Sequence, residues 1–415
     1  VNKETDAWAK HWTFASEVGI GAGIVDTARY TTPEVYEAEK DKIFRRTWLM
    51  VARESEVPNP GDFIKREIPP LDAEAVIVRG KDGVVRAFHN ACAHRGSALV
   101  GPCEGNTSLF VCPYHAWSYG TDGKCKAIPG AEYFPQVDKK TVGLAPIHLD
   151  IWNGFIFLNF DETPRQTLTE YLGGFAKAYA DVPFHEFPHG VEIVQDIDAN
   201  WKNFLDAFAE GYHVPMLHKK TLPMVPSRTN PLNVYYDAQF MPPHYSFIIQ
   251  SNPDWVPSGD VLKFIFSATG TSMLRPLEGD DTKPRVTRLT ACEGINPIGL
   301  PNFGLRCLYA FPFSQIQVFE DRWMWYQFWP MGLEKTRFVL RFYARSAPAS
   351  YLQQFAEAHM LATTRDVVAE DVAMTRLQQQ GMKSGGHKQV YLGENELLIR
   401  HTHQMIDAYL ADHPI

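Results

Sequence analysis

The chain has no apolar run long enough to cross a bilayer. Its longest, around residues 151–160, is short and interrupted, whereas a spanning helix needs about 20 residues. Cysteine is scarce, with six in 415 residues, and their spacing makes no disulfide framework. Positive charge is scattered: the formal net charge is −8, and basic residues come as doublets such as Arg45-Arg46 and Lys219-Lys220. Binding to a phosphate backbone needs a basic face, so nucleic acid is not an expected partner. There is no internal repeat and no low-complexity stretch. The opening residues, Val1-Asn2-Lys3-Glu4-Thr5-Asp6, are polar and lead into no apolar signal core. Together these absences set the expectation of a cytoplasmic protein with no membrane partner.

What is present is an ordinary globular composition, 45% hydrophobic, in a chain long enough for two domains. The texture divides it. Residues 1–45 read as an N-terminal helical segment packing on the second domain, with Pro33 where a helix tolerates it at its start. Residues 46–160 read as short β segments separated by Gly and Pro. One hairpin there is plain: Ala75-Val76-Ile77-Val78-Arg79, a turn at Lys81-Asp82-Gly83, then Val84-Val85-Arg86-Ala87-Phe88. The run 155–160 closes this all-β unit. In the remainder, 161–415, residues 191–197 alternate like a strand, and 286–292, 304–312, 316–319, 323–329 and 337–344 read as successive strands of one antiparallel sheet. Helices are predicted over 348–380 and 394–410. The fold class is therefore α+β.

Two short loops carry the first chemical signal: Cys92-Ala93-His94-Arg95-Gly96 and Cys112-Pro113-Tyr114-His115-Ala116-Trp117. Each offers one thiol and one imidazole. Two Cys on one iron and two His on the other is the ligand set of a Rieske [2Fe–2S] cluster, a one-electron carrier. Zinc also takes two Cys and two His, but usually with the two Cys adjacent and then the two His. Here the types are interleaved. Respiratory Rieske proteins carry an extra Cys in each loop; the matching positions are Ser97 and Tyr114, which cannot form that disulfide.

A second constellation lies in Asn200-Trp201-Lys202-Asn203-Phe204-Leu205-Asp206-Ala207-Phe208-Ala209-Glu210-Gly211-Tyr212-His213, helix-like as far as Pro215. Asp206, Glu210 and His213 fall at i, i+4 and i+7, on one face of such a helix. His218 follows five residues after His213. A charged helix face is often no more than a solvated one. Here the acids sit among Trp201, Phe204, Leu205 and Phe208, too apolar for plain surface. Two His and one carboxylate make the facial triad of non-haem Fe(II) oxygenases. Asp371 is the best candidate for the carboxylate, with Asp366 and Glu370 competing on chemistry alone.

With these motifs the chain resembles the α (terminal oxygenase) component of Rieske non-haem iron, or ring-hydroxylating, oxygenases, over nearly its whole length. The resemblance rests on the two cluster loops, on the segment from Asn200 to His218, and more weakly on Glu370-Asp371 with Gln378 and Gly381. It implies that Cys92, His94, Cys112 and His115 bind the cluster and that His213, His218 and Asp371 bind mononuclear Fe(II). Glu210 stands where the family has a bridging acid, and Asp206, one turn earlier, would support it. The family fold is a Rieske domain, here 46–160, followed by a helix-grip catalytic domain, here 161–415. Electrons come from NAD(P)H through a flavin reductase, often with a ferredoxin; no flavin or nicotinamide motif occurs in this chain, so these are separate partners. In the family, the cluster of one subunit serves the iron of its neighbour, which implies a homotrimer, in some members with a separate β subunit.

The resemblance implies O2-dependent mono- or dihydroxylation, or oxidative dealkylation, of a small molecule. Phe204, Phe208, Leu217 and the aromatics of 323–329 offer a possible apolar lining, although buried aromatics usually serve the core. The first expectation is an aromatic or similar apolar substrate, as in aromatic hydrocarbon catabolism. The alternative is a quaternary amine, such as a betaine or carnitine, held by aromatic rings. A different class is a Rieske electron carrier without oxygenase activity, and a third is a zinc-stabilised binding protein. The length of 161–415 speaks against a carrier.

Overall fold

The computed structural model describes residues 7–21, 23–252, 254–263 and 286–413. The chain divides into two compact units, Lys40–Tyr171 and a second formed by Val1–Glu39 with Leu172–Ile415. No helix among the described residues is long and apolar enough to cross a membrane.

The Lys40–Tyr171 unit is built on an antiparallel sheet of seven strands. Their spatial order is Leu49–Arg53, Phe155–Asn159, Pro146–Trp152, Val85–His89, Ala73–Arg79, Asp62–Ile68 and Glu104–Asn106. The expected hairpin is there, with Arg79 opposite Val85. The closing strand Phe155–Asn159 is buried throughout and pairs with Leu49–Arg53. A three-stranded sheet, Leu109–Val111, Ser118–Gly120 and Cys125–Ala127, completes the unit. Phe63, Phe88, Phe110, Trp117 and Leu144 share one core with Cys92 and Cys112. The two predicted cluster loops thus leave strand ends directly above a packed apolar floor.

In the other unit seven antiparallel strands run in the order His189–Ile197, Lys335–Ala344, Arg322–Gly332, Ser314–Val318, Phe303–Ala310, His244–Gln250 and Tyr236–Met241. Helix α1 (Trp201–Ala207) packs on the strands Arg322–Gly332 and Lys335–Ala344 and on the 33-residue helix α2 (Tyr351–Lys383). Phe204 anchors α1: it is fully buried and meets Phe328 and Phe338 edge-on at 5.7 and 5.2 Å. Burying such a ring stabilises the packing by about 2–3 kcal/mol. Helix α2 starts at a cap, Ser350 accepting from the Gln353 N–H at 3.2 Å, two residues beyond Pro348. Helix α3 (Leu397–Leu410) begins later than predicted, because the Glu394 carbonyl, which would accept a first-turn helical bond, is taken by the Ala15 N–H at 3.0 Å.

Residues 286–292 are not the strand expected from the sequence. Thr287 and Thr290 bond each other's backbone and hydroxyl groups, and the Ala291 N–H returns to Thr287 O. These local bonds take the groups a sheet ladder needs.

Candidate functional site

The two cluster loops are built alike. In the first, the Cys92 N–H bonds Ser97 O at 2.8 Å and the Gly96 N–H returns to Cys92 O at 2.8 Å. In the second, the Cys112 N–H bonds Trp117 O at 2.8 Å and the Ala116 N–H returns to Cys112 O at 2.9 Å. Each turn needs a residue with positive φ, Gly96 at 73° and Ala116 at 58°. Asn90 pins the first loop by accepting from the Leu99 and Val100 N–H groups and donating to Glu74.

The loops bring Cys92, His94, Cys112 and His115 together. The imidazoles of His94 and His115 lie 4.6 Å apart, with Trp117 stacked on His94 at 5.0 Å. Both thiols are buried. The Nδ1 atoms of His94 and His115 are buried with no hydrogen-bond partner. Two such nitrogens beside two thiols fit a cluster that takes both as ligands. The electrostatics agree. Burial opposes ionisation of the Cys112 thiol, yet the N–H groups of Tyr114 and His115 and bonds with Cys92 and Ser97 outweigh it and lower its pKa. Loss of solvent and the neighbouring His115 and Arg95 lower that of His94, favouring the neutral imidazole a metal needs. The Tyr119 hydroxyl reaches this centre, 3.1 Å from Cys92 Sγ, and accepts from the Ala93 N–H at 3.1 Å. All six cysteines are free, so Cys103 and Cys125 form no disulfide.

The segment 200–218 departs from the expected single helix. Asn200 caps α1 by accepting from the Lys202 N–H at 3.1 Å. The helix ends at Ala207 in tightened bonds, Phe208 N–H to Leu205 O and Ala209 N–H to Asp206 O. Gly211 then passes against Asn233, where a Cβ would lie 2.2 Å from Asn233 O. Asp206, Glu210 and His213 therefore share no helical face. His213 instead precedes a single turn, Val214–Leu217, and His218 follows it. One turn carries the two rings to 5.1 Å from each other.

Asp371, on α2, completes the group. His213, His218 and Asp371 each offer a ligand atom, all within 4.8 Å of one another, and this is the one such group of three among the described residues. Asp371 Oδ1 lies 2.9 Å from His218 Nε2 and 3.6 Å from His213 Nε2. Two imidazoles and a carboxylate converging this closely fit a mononuclear iron that keeps open positions. Glu370 turns to the far side of the ring, its Oε2 2.7 Å from His218 Nδ1, and accepts from Thr221 Oγ1 at 2.7 Å. Asp366 is exposed and paired with Arg365, outside the group. Burial would lower the His218 pKa, but Asp371 and Glu370 outweigh it and raise it.

Glu210 is buried and spends both oxygens on His213, one on the ring Nδ1 and the other on the backbone N–H at 3.1 Å. Asp206 is not bonded to Glu210; its Oδ2 accepts from the Tyr30 hydroxyl at 2.8 Å. Tyr30 and His403 are site neighbours that sequence reasoning missed, and Glu370, weighed there as a rival third ligand, instead supports His218.

A cavity of about 150 Å³ opens from the triad, a volume that holds about one benzene ring. Phe208, Tyr235, Phe319, Tyr326, Met324 and Met360 contribute to its lining. Of the residues expected there, Phe204, Trp323 and Trp325 are instead fully buried in the core, and Leu217 lines a second cavity.

Two family models match the chain: the Rieske [2Fe-2S] domain over residues 47–138 and the ring hydroxylating alpha subunit (catalytic domain) over residues 184–412. The carnitine monooxygenase oxygenase subunit of Acinetobacter baumannii is 34% identical over 191 residues, 46% of this chain and 51% of that protein. The chain thus spans about half the length of that relative. The chloroplastic choline monooxygenase of Spinacia oleracea is 27% identical over 385 residues, 90% of this chain and 75% of that protein. A solved structure of naphthalene 1,2-dioxygenase from Rhodococcus sp. bound to indole superposes with a TM-score of 0.73 at 22% identity, covering 94% of this chain and 95% of that one.

Proposed function

The chain belongs to the ring-hydroxylating oxygenase alpha-subunit family, with a Rieske [2Fe–2S] domain preceding its catalytic domain, and on that premise we propose that it is a terminal oxygenase oxidising a small, largely apolar molecule with O2. The observation that carries this reading is the convergence of His213, His218 and Asp371 at one end of an aromatic-lined cavity. Cys92, His94, Cys112 and His115 hold the cluster, and His213, His218 and Asp371 hold Fe(II). When bound, the cluster supplies single electrons and the mononuclear iron supplies O2 activation.

The protein's own part is to position and to exclude. Glu210 fixes the orientation of His213 by bonding both its ring and its backbone. Glu370 and Thr221 fix the tautomer of His218, leaving Nε2 for the metal. Phe208, Tyr235 and Tyr326 keep bulk water from the substrate side. Electrons arrive from a separate ferredoxin or flavin reductase. The working assembly is a homotrimer, with Glu210 linking one subunit's His213 to the neighbour's cluster, in the cytoplasm.

A second substrate reading is a quaternary amine. The rings of Phe208, Tyr235, Phe319 and Tyr326 share one cavity with the Glu210 and Asp371 carboxylates, which attract a cation, and with the Arg322 guanidinium, which suits an anionic end such as a betaine carboxylate. The likeness to carnitine and choline monooxygenases lends it support.

Product analysis decides. The purified chain is incubated with a surrogate ferredoxin and reductase, O2, and a panel of aromatics and trimethylammonium compounds. Hydroxylated aromatics support the first reading; aldehyde and tertiary amine support the second. About three iron atoms per chain are expected, against about two for a simple carrier, and a colourless zinc-bearing sample would sink both readings. Asp371→Ala should lose the mononuclear iron while the cluster's absorption survives; iron retained in that variant overturns the ligand assignment.

A further inference from the structure

Behind the triad lies a second cavity of about 240 Å³, lined by Tyr30, Asp206, Glu210, His213, Asp371 and Glu396 among others. Asp206 is 8% exposed, and its Oδ1 has no hydrogen-bond partner. Its other oxygen accepts from the Tyr30 hydroxyl at 2.8 Å, and that hydroxyl lies 2.8 Å from His403 Nε2; His403 Nε2 also lies 3.4 Å from Asp206 Oδ2, so the short path runs through Tyr30 beside a longer direct one. His403 Nδ1 is also buried without a partner. The three side chains come from distant parts of the sequence and form a buried hydrogen-bonded chain with an open atom at each end. Buried polar networks are normally satisfied throughout. Two unsatisfied ends on one connected chain are what proton transfer requires: an entry at an imidazole nitrogen and an exit at a carboxylate oxygen.

We propose that His403, Tyr30 and Asp206 form a proton relay feeding the cavity beside the iron ligands. The inference rests on the oxygenase reading above, because that chemistry consumes protons: RH, O2, two electrons and two protons give ROH and H2O, the electrons coming from the reductase partner. In the relay, the His403 Nε2–H bond breaks as an O–H bond forms at Tyr30, and the Tyr30 O–H bond breaks as one forms at Asp206 Oδ2. His403 takes up a proton from water at Nδ1 and returns to the Nε2–H tautomer by losing and regaining protons to water, and protonated Asp206 gives its proton to water in the cavity. Burial and the Asp206 carboxylate raise the Tyr30 pKa well above its ordinary value, so the phenol transmits protons without resting as phenolate. Lys202, tied to Glu39 at 2.6 Å, lies 5.7 Å from the centre of the Tyr30 ring and supplies a nearby positive charge. These are positioning and transmitting residues; none bonds His213, His218 or Asp371.

The test uses Tyr30→Phe and Asp206→Asn in the full chain with both metals loaded. Product formation should fall about 100-fold, the scale of one lost proton-transfer group, with iron content and melting temperature unchanged and O2 diverted to peroxide. The solvent isotope effect on product formation should change in both variants. A second measurement needs no iron: in the metal-free chain, nitrogen-15 NMR follows exchange of the His403 ring proton with solvent, which should slow in both variants. Unchanged isotope effects together with unslowed exchange overturn the relay, as does activity lost in proportion to iron or stability. Failure of the oxygenase reading looks different, since then the wild-type chain itself forms no product from any substrate in the panel.

Discussion

Glu370 Oε2 lies 2.7 Å from Nδ1 of His218, on the side of the imidazole away from Asp371. A carboxylate there holds the proton on Nδ1 and presents Nε2 as a basic ligand. Glu370→Ala removes that anchor and frees Thr221. Affinity for Fe(II) should fall about 10- to 100-fold, measured by metal titration of the stripped protein, with the cluster's absorption unaltered. Unchanged affinity would mean that packing alone orients His218.

Glu210 presents a different expectation, since it touches a proposed ligand but is not one. Glu210→Gln keeps an acceptor of the same shape and removes the charge. Both metal centres should load fully, while turnover drops by about two orders of magnitude or more, in line with other positioning groups. Iron analysis beside product formation checks this. Full loading with undiminished turnover would remove Glu210 from the machinery.

How far the sequence carried these assignments depended on distance along the chain. The four proposed cluster ligands could be picked out because each loop places its Cys and His within a few residues, and the structure repeats one turn around both. His213 and His218 were legible for the same reason, although the helix expected to carry them stops at Ala207. Periodicity could not register that Gly211 must pass against Asn233. Asp371 could be ranked above Asp366 and Glu370 only through family likeness, because adjacent helix positions differ by direction alone and no local rule gives that direction relative to another element. Residues 286–292 misled because Thr and Val favour strands, while the two threonine hydroxyls bond locally. Tyr30 and His403 gave no signal at all. Their link to Asp206 exists only in the folded chain.

The base of α1 holds a fully buried ion pair, Lys202 Nζ 2.6 Å from Glu39 Oε1, with Trp201 Nε1 donating to the other oxygen at 3.0 Å. Burial lowers the Lys202 pKa despite Glu39. Glu39→Gln leaves that ammonium without its counter-charge in the core, at a cost of about 3–5 kcal/mol. Denaturant unfolding should register the loss. Glu39→Gln combined with Lys202→Met should recover much of it, since the uncompensated charge is then gone. A single variant as stable as the wild type would mean that Lys202 is neutral in the folded protein.

His401 on α3 is 3% exposed, packed beside Phe240 and Tyr245, and burial pushes its pKa down to about 4. In the unfolded chain the ring titrates near its ordinary value of about 6.5. Between these values the unfolded state binds a proton that the folded state refuses. Stability is therefore intact above about pH 6.5 and is lost as the pH falls toward 4, by about 1.4 kcal/mol per unit and about 3 kcal/mol across the window. His401→Gln carries no charge at any pH and removes this one contribution. Thermal unfolding at pH 7, 6 and 5 should give a melting temperature that declines less steeply in the variant than in the wild type. Parallel declines would show that the folded protein accommodates a charged His401.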